Sequence, residues 1–546
     1  MIDISSLNDE QQAAVLSNEK QVLCLAGAGT GKTQCMIYRI RHLIEDQNVL
    51  PSNILVLTYT NAAAYEMQDR YKKLSKTYSC PEFRTFHGFC YSLLCRNKDV
   101  LHRLGYSTPP AIIEEEQFKE VVTTAKLQAN TKLSNYKISH PDKLSPKEKF
   151  QYDLYHKALK RLLNQMNAIT FDLLADEVCN LFIQNDNVIE GYLNQYKYIF
   201  VDEFQDTDPL QYKFIKTFTD ANKFVIGDAL QAIYAFRNAD SSIIKSLASS
   251  NDWITYRLHR NYRSTKQICE FSNRYSVYAD DSYRIAISSE REGNPVYMTT
   301  TRLYKPDGVA KECLDDLVKA VNYYEGSIAI LARTNKEVGV IKDHLLSEGI
   351  TITDTSNLET AIKILKLIDD DQDDVICWLA SKLSQPEYAK YLQKKLTYLD
   401  YNMDMFLRDF YTSLEKNDEA KKFMNISQII NYGSVDQSSL HLIATTLYID
   451  DILPDEHIPA LTVQDFGKYL ESLYKTQARR GTVYVGTIHS SKGLEYDTVI
   501  LINVGGPPFR LSNEENKNLY YVGITRAKNT LIIYKGGDLN GKQGTQ

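Results

Sequence analysis

A glycine-rich segment between a strand pattern and a helix pattern constrains this chain more than any other feature. The apolar run 22–25 predicts a buried strand, residues 26–33 continue as Ala-Gly-Ala-Gly-Thr-Gly-Lys-Thr, and residues 35–44 have the pattern of a helix. In such a loop, backbone N–H groups surround phosphates, the lysine reaches the outer phosphates and the threonine hydroxyl holds Mg²⁺. We therefore predict a nucleotide-binding loop with Lys32 and Thr33 in these roles. A glycine-rich turn with an ordinary surface lysine would explain neither the flanking strand nor the threonine.

Length and composition indicate a folded chain of several domains. At 546 residues the chain exceeds the size at which a single hydrophobic core stops growing. Its 43% hydrophobic and 24% charged residues are close to the averages of globular proteins, so we expect it to fold. The net charge of −6 excludes a generally basic surface, and any nucleic-acid site must therefore be a local groove.

The cysteines and the amino terminus bear on the compartment. Nine cysteines occur without a C-x-x-C pair or zinc-finger spacing, which favours free thiols in a reducing cytoplasm. Residues 1–8 lack the basic and apolar regions of a signal peptide, and no run of about 20 apolar residues follows. We therefore expect a cytoplasmic protein that does not span a membrane.

Short apolar runs divide the chain into two α/β regions. Runs typical of buried parallel strands recur in an early set and a late set. The early set lies at 54–57, 198–201, 224–226 and 253–256, and the late set at 327–331, 482–486, 498–502 and 530–534. Helix-forming residues dominate between 85 and 196 and again between 352 and 480. We predict two α/β domains, each interrupted by a mainly helical insertion.

Two carboxylates follow one of the predicted strands. The run 198–201 ends directly before Asp202 and Glu203, at the strand end where open α/β sheets bind their ligands. Phosphate hydrolysis needs a carboxylate near the metal ion and a group that positions or deprotonates water. We assign Asp202 to the Mg²⁺ shell and Glu203 to the base. An acidic loop after a strand is common, so this pair alone is weak evidence for a hydrolytic site. The residues that follow it strengthen the prediction.

Those residues read Asp-Glu-Phe-Gln-Asp at 202–206, which resembles the D-E-x-Q-D motif of UvrD/Rep/PcrA-like superfamily 1 helicases. Other segments resemble the motifs of this family in the family's order. They lie at 7–11, 58–63, 85–87, 227–237, 261–264, 332–335, 487–495 and 521–527. A series of ordered motifs is far more specific than any one of them.

The resemblance implies an α/β fold of two RecA-like P-loop motor domains, each interrupted by a mainly helical accessory insertion. Residues 1–85 and 191–258 would form the first motor domain around an insertion at 86–190. Residues 259–351 and 482–546 would form the second motor domain around an insertion at 352–481.

The resemblance also implies ATP and Mg²⁺ as cofactors and gives roles to single residues. Gln11 would read adenine, Tyr262 would stack on it, and Glu495 would bond the ribose. Thr33 and Asp202 are the predicted metal ligands. The implied catalytic residues are Lys32, Asp202, Glu203, Gln231, which would sense the γ-phosphate, and the arginine fingers Arg263 and Arg526. The implied ATP-binding residues are Gln11, Ala26, Gly27, Ala28, Gly29, Thr30, Gly31, Lys32, Thr33, Gln34, Tyr262 and Glu495.

A DNA site follows from the same resemblance, because aromatic faces stack on bases without regard to sequence. The implied DNA-binding residues are Tyr59, Asn61, Phe86, His87, Tyr234, Phe236, Arg333, Asn335, His489 and Lys492. A core position is as good an interpretation of Phe86 as a stacking position. The chain departs from its relatives at Phe236, where tryptophan is frequent, and at Gln34, where arginine is frequent.

The leading functional hypothesis is an ATP-dependent translocase or helicase that acts on single-stranded or tailed duplex DNA, with 3′-to-5′ polarity carried over from the family. The alternative is a helicase-like subunit that senses nucleotide and DNA ends and recruits a nuclease or another effector protein. The compact build of this chain resembles that of helicase-like components of anti-phage systems such as Gabija. A P-loop signalling ATPase that binds no nucleic acid fails to explain the motifs at 85–87 and 234–237.

Overall fold

The computed structural model describes most of the chain outside residues 353–482. The described residues are 2–76, 79–113, 115–134, 137–138, 144–301, 304–305, 308–309, 311–350, 352, 365, 421–422, 425–426, 437–447, 466–467, 469–470, 483–506 and 509–536. The chain divides into two compact units. One consists of Met1–Phe86, Glu190–Thr355 and Leu473–Gln546, and the other of His87–Ile189 and Ser356–Ser472.

The described strands and helices alternate along much of the chain. The strands are β1 (Gln21–Ala26), β2 (Ile54–Thr58), β3 (Glu82–Thr85), β4 (Ala111–Ile112), β5 (Ala168–Ile169), β6 (Tyr198–Val201), β7 (Asn222–Gly227), β8 (Ile254–Leu258), β9 (Tyr297–Thr301), β10 (Tyr304–Lys305), β11 (Gly308–Val309), β12 (Ile328–Ala332), β13 (Val483–Thr487), β14 (Tyr496–Val504) and β15 (Ala527–Gly536). The α-helices are α1 (Asp9–Leu16), α2 (Lys32–Arg41), α3 (Asn61–Leu74), α4 (Phe86–Arg96), α5 (Lys98–Arg103), α6 (Glu115–Gln128), α7 (Pro146–Gln165), α8 (Phe171–Ile183), α9 (Glu190–Gln195), α10 (Pro209–Thr217), α11 (Ser242–Ala248), α12 (Lys266–Tyr275), α13 (Lys311–Tyr323), α14 (Asn335–Ser347), α15 (Gln437–Thr446) and α16 (Glu514–Ile524).

The first sheet has six parallel strands in the order β3-β2-β6-β7-β1-β8. Most of its strands are apolar on both faces, as β1 and β2 are, because helices cover a parallel sheet on both sides. One face packs against α1, α2 and α3 through a continuous core. Since the strands are parallel, their carboxyl ends share one edge, and the segments at 26–33, 58–60, 202–206 and 227–231 all leave the sheet there.

The second sheet has five parallel strands in the order β13-β12-β14-β15-β9. Alternate residues of its strands point to opposite faces. Val499 and Leu501 belong to the core on one face, whereas Ile500 and Ile502 belong to the core on the other. Both faces are therefore buried, and the two parallel sheets agree with the α/β fold predicted for two RecA-like domains.

The region predicted as the first insertion is mainly helical. Helices α6 and α7 enclose a core that contains Val121, Ala125, Tyr155 and Leu159, and β4 pairs with β5. The prediction that this region is an accessory domain stays a prediction. Most of the second predicted insertion, 352–481, lies outside the described residues, and α15 falls within it.

Ile500 tests whether the second sheet carries the stability of its domain. Its side chain is fully buried, and its neighbours across β12 and β15 are Ile330 and Ile532. We expect Ile500→Ala to lower the free energy of unfolding by about 2–5 kcal/mol, because the methyl groups removed leave a cavity. Guanidinium unfolding followed by circular dichroism measures this loss. The control Val277→Ala removes a side chain that is 66% exposed and should leave the midpoint unchanged; equal midpoints for the two variants would contradict the prediction.

Candidate functional site

The predicted phosphate-binding loop connects β1 to α2. Gly29 and Gly31 have φ angles of +70° and +81°, a left-handed conformation that glycine adopts without strain. Thr30 Oγ1 donates a hydrogen bond to the carbonyl oxygen of Gly27 at 2.8 Å and closes the loop. Gly31 precedes the first turn of α2, whose backbone N–H groups lack partners within the helix. The loop thus presents N–H donors and a helix amino terminus, which together favour an anion.

Lys32 and Glu203 face each other beside this loop. Lys32 is the first residue of α2, and its Nζ lies 3.5 Å from Glu203 Oε2. Glu203 has a φ of +48°, which is uncommon for a residue with a side chain and is held by the turn that follows β6. Burial alone would raise the pKa of Glu203, but Lys32 and then Lys492 outweigh burial and lower it. Glu203 is therefore a carboxylate, as a base must be.

Asp202 has the properties expected of a metal ligand. Its side chain is buried, and its Oδ1 atom has no hydrogen-bond partner among the described residues. Burial, and next the charge of Glu203, raise the pKa of Asp202. A cation placed here would supply the missing partner and restore the charged form of the carboxyl group. Asp202, with the hydroxyl of Thr33 in the first turn of α2, fits a hard cation such as Mg²⁺.

A series of hydrogen bonds through Gln205, Asp228 and Gln231 connects Glu203 to Arg526. Gln205 Nε2 donates to Glu203 Oε2, and Gln205 Oε1 accepts from the backbone N–H of Asp228 at 3.0 Å. Gln231 Nε2 donates to Asp228 Oδ2 at 2.8 Å, and Arg526 Nη2 donates to Gln231 Oε1 at 3.5 Å. The sequence did not predict that Gln205 and Asp228 would link Glu203 to Gln231, although both residues belong to the motifs that carried the resemblance.

The two predicted arginine fingers have different environments. Arg526 is almost fully buried, and burial followed by the charge of Arg263 lowers its pKa to about 9. Arg263 Nε donates to Glu495 Oε2 at 2.7 Å, and Lys528 also pairs with Glu495. Burial acts to raise the pKa of Glu495, but Arg263 and Lys528 lower it to about 2. Arg263 and Glu495, two of the residues predicted to contact ATP, thus form an ion pair with each other.

The segment after β8 is bonded directly to the phosphate loop. Asn261 Nδ2 donates to the carbonyl oxygen of Ala28 at 2.6 Å, and the N–H of Tyr262 donates to that of Gly29 at 2.9 Å. A Cβ atom on Gly29 would lie 2.8 Å from the Cβ atom of Arg263. Glycine is therefore required at this loop position for packing as well as for its φ angle. Asn261 belongs to a quoted motif, but its bond to the loop was not foreseen.

The residues predicted to bind the base lie together. Gln11 is buried, and its Nε2 donates to the carbonyl oxygen of Thr30 at 3.0 Å. Asn8, which caps α1, donates from Nδ2 to the hydroxyl of Tyr262 at 2.9 Å. The Tyr262 ring is 53% exposed, so it has a face on which a base can stack. The amide oxygen of Gln34 lies near Gly31 of the loop.

Four of the predicted DNA-binding rings form a continuous series, which we call the aromatic row: Tyr59, Tyr234, Phe236 and His489. Tyr59 and Tyr234 stack at 5.1 Å with 10° between their planes. Phe236 contacts Tyr234 edge-on at 5.9 Å and His489 edge-on at 5.6 Å. Phe236 is 63% exposed, an unusual exposure for a large apolar side chain. The row joins loops of both motor domains and offers an open ring face.

Two residues predicted to contact DNA have buried side chains. Phe86 is 7% exposed and packs edge-on against Phe214 at 5.1 Å, so its ring belongs to the core and is not a stacking face. Lys492 was predicted to contact DNA phosphates, but its side chain is 8% exposed and forms an ion pair with Asp206. Asp206 is buried, and burial raises its pKa to about 6 even though Lys492 opposes the shift. The ammonium group of Lys492 is therefore directed into the protein.

The remaining predicted DNA contacts lie outside the aromatic row. Arg333 follows β12 and donates from Nε to Asn516 Oδ1 at 3.3 Å, and Asn335 begins α14 at an exposed position. His87 belongs to the other compact unit, where its Nε2 atom lies 3.6 Å from Asp172 Oδ1. Asn61 begins α3, and its side chain lies outside the described residues.

Comparison with known proteins identifies the family of the chain. The model of the UvrD/REP helicase N-terminal domain matches residues 7–252, and that of the UvrD-like helicase C-terminal domain matches residues 256–433 and 461–536. The chain is 28% identical to a probable DNA helicase II homolog of Mycoplasma capricolum, over 97% of this chain and 84% of that protein. It is 27% identical to the ATP-dependent DNA helicase PcrA of Staphylococcus epidermidis and 26% identical to that of Staphylococcus aureus, in each case over 97% of this chain and 83% of the relative.

No helix in the described part of the chain is long and apolar enough to cross a membrane. The two family domains follow each other along nearly the whole chain, in the same order as the two parallel sheets. They include the phosphate loop and the aromatic row. The chain therefore belongs to the UvrD/Rep/PcrA-like family of superfamily 1 helicases.

Proposed function

We propose that this chain is an ATP-dependent motor that translocates on single-stranded DNA in the 3′-to-5′ direction and separates duplex strands as it moves. The observation that carries the proposal is the continuity between the phosphate loop and the aromatic row. Gln231 is bonded to the network of Glu203 and Arg526, and Tyr234 lies three residues further along the same segment. A motor needs such a link, because nucleotide turnover must change the grip on the track.

The ATP site supports in-line hydrolysis of the γ-phosphate. Lys32 and the loop N–H groups would hold the phosphates, and Glu203 would orient and deprotonate the attacking water. Arg526 and Arg263 would supply positive charge to the transition state from the second motor domain, which requires Arg263 to exchange Glu495 for the phosphate. Thr33 and Asp202 would hold Mg²⁺, which would supply positive charge at the phosphates when bound.

The aromatic row supports a grip on bases without sequence readout. Stacking on an aromatic face contributes roughly 1–3 kcal/mol per base and accepts any base. The exposed face of Phe236 provides this contact, and Tyr59 and Tyr234 lie behind it. The preference for single-stranded DNA follows, because bases stacked within a duplex are not available to a side-chain ring.

Polarity rests on family membership alone. The named relatives include DNA helicases, and carrying that activity to this chain is part of the proposal. The alternative of a DNA-end sensor that recruits a nuclease would keep nucleotide and DNA binding but would not separate strands. Unwinding of a duplex with a 3′ tail, compared with one carrying a 5′ tail, distinguishes the two hypotheses and tests the polarity.

ATP hydrolysis measured with and without single-stranded DNA is the direct test of the proposed function. We expect DNA to stimulate hydrolysis at least tenfold, because Gln231 joins the hydrolytic network to the aromatic row. A coupled phosphate-release assay with increasing oligonucleotide concentration measures the effect. Hydrolysis that is independent of DNA would reject the motor and leave only a P-loop ATPase.

Lys32→Ala and Glu203→Gln should both abolish turnover but should differ in ATP binding. Loss of Lys32 removes a phosphate contact and weakens ATP affinity. Glu203→Gln removes only the base, which contributes about 10²–10⁴-fold to the rate, so ATP should bind and remain intact. Equilibrium binding of a fluorescent ATP analogue and single-turnover hydrolysis measure both properties. Rapid turnover by purified Glu203→Gln protein would exclude Glu203 as the base.

Phe236→Ala should weaken the grip on DNA while basal ATP hydrolysis persists. Loss of one stacking face should raise the DNA concentration for half-maximal stimulation by about five- to 150-fold, the equivalent of roughly 1–3 kcal/mol. Tyr323→Ala is a matched control, because Tyr323 is 78% exposed and lies on α13, away from the row. An unaltered half-maximal concentration in Phe236→Ala would show that the ring takes no part in DNA binding.

A further inference from the structure

Lys492 occupies a position that phosphate binding does not explain. It lies in the turns that follow β13, in the second motor domain, and its side chain is almost fully buried. Its Nζ atom is paired with the carboxylate of Asp206 and donates to the carbonyl oxygen of Gln231 at 3.0 Å. The same atom lies 4.7 Å from the centroid of the Tyr234 ring. One ammonium group therefore contacts three parts of the first motor domain.

These three contacts belong to different functional parts. Asp206 ends the short helix that directly follows Asp202 and Glu203. Gln231 belongs to the network that contains Arg526. Tyr234 lies between Tyr59 and Phe236 in the aromatic row. Lys492 is therefore the point at which the carboxylate loop, the γ-phosphate sensor and the aromatic row meet.

Asp206 depends on Lys492 for its charge. Asp206 is buried, and its Oδ1 atom has no hydrogen-bond partner among the described residues. A buried carboxylate without a countercharge is strongly unfavourable, so separation of the motor domains at this point requires the ion pair to break or water to enter. An ammonium group engaged in this way cannot reach a DNA phosphate without leaving Asp206.

A second contact holds the same segment. Asn518 on α16 donates from Nδ2 to the carbonyl oxygen of Ala232 at 3.0 Å, and its Oδ1 accepts from the hydroxyl of Tyr278 at 2.6 Å. The second motor domain thus binds two successive carbonyl groups, those of Gln231 and Ala232, directly before the aromatic row. The second domain is therefore bonded to this segment at two adjacent points.

We propose that Lys492 is a positioning residue that couples closure of the motor domains around ATP to the placement of the Tyr234 ring, and that it does not bind DNA. The inference rests on the proposed motor function and names a residue that links its two sites. When the domains close, the Asp206–Lys492 ion pair and the bond to Gln231 hold the row in its binding arrangement. When they open, both contacts are lost and the ring is released.

Lys492→Met tests the proposal, because it keeps most of the apolar stem of the side chain and removes the charge. We expect the ratio of DNA-stimulated to basal hydrolysis to fall at least tenfold. DNA affinity, measured by fluorescence anisotropy of a labelled oligonucleotide, should keep the same dependence on salt concentration. A phosphate contact would behave differently, since its loss weakens DNA binding and reduces the salt slope by about 0.7 for a single strand. That result would overturn the proposal.

A double variant separates coupling from stability. Lys492→Met alone leaves Asp206 buried without a countercharge, so its melting temperature should fall; the double variant Asp206→Asn with Lys492→Met should recover it. The double variant should still lack coupling, because the link is still absent. Recovery of DNA stimulation together with stability would show that Lys492 is merely structural and would overturn the proposal.

Asp206→Asn alone should also lower the stimulation ratio without changing the salt slope. Lys319→Ala, which alters a 77% exposed lysine of the second motor domain, is the control for loss of a positive charge and should resemble the unmodified protein. If the unmodified protein showed no stimulation by DNA, the motor function itself would fail and this inference with it. Stimulation of the unmodified protein with a changed salt slope in Lys492→Met would reject the inference alone.

Discussion

The parallel arrangement of the first sheet is the constraint on which the rest of the site depends. All six strands point the same way, so the chain leaves every one of them at the same edge. This brings the phosphate loop after β1, the carboxylates after β6 and the segment after β7 together, although residues 32 and 203 are far apart in the chain. An antiparallel sheet would send alternate segments to opposite edges and could not assemble the same site.

The segment that connects the two parallel sheets packs directly against the loop that follows β1. The segment after β8 bonds to the carbonyl groups of Ala28 and Gly29, and Arg263 approaches Gly29 too closely for any side chain there. A change in the conformation of the loop therefore directly changes its contacts with the segment that follows β8. The buried Arg526, with its bond to Gln231, extends this contact to the segment that leads to the aromatic row.

The two adjacent carboxyl groups of the candidate site have opposite pKa shifts. Lys32 lies close to Glu203 and favours its charged form, whereas burial disfavours the charged form of Asp202. The opposite directions of the two pKa shifts follow from position, since the two side chains are chemically similar. A cation would reverse the preference of Asp202, which links metal binding to the protonation of this carboxyl group.

The sequence by itself determined the α/β class, the strand runs and the phosphate loop, because buried parallel strands are continuous apolar runs and the loop chemistry is local. The order of its motifs also determined the family. Only the tertiary structure decided where individual side chains face. Phe86 and Phe236 are both aromatic residues within motifs, yet one packs against Phe214 and the other is exposed. Lys492 was assigned to DNA because its motif resembles one of the family's segments; the structure pairs it with Asp206, 286 residues away in the chain. Burial and long-range pairing depend on packing within and between the domains, and no local pattern of residues contains that information.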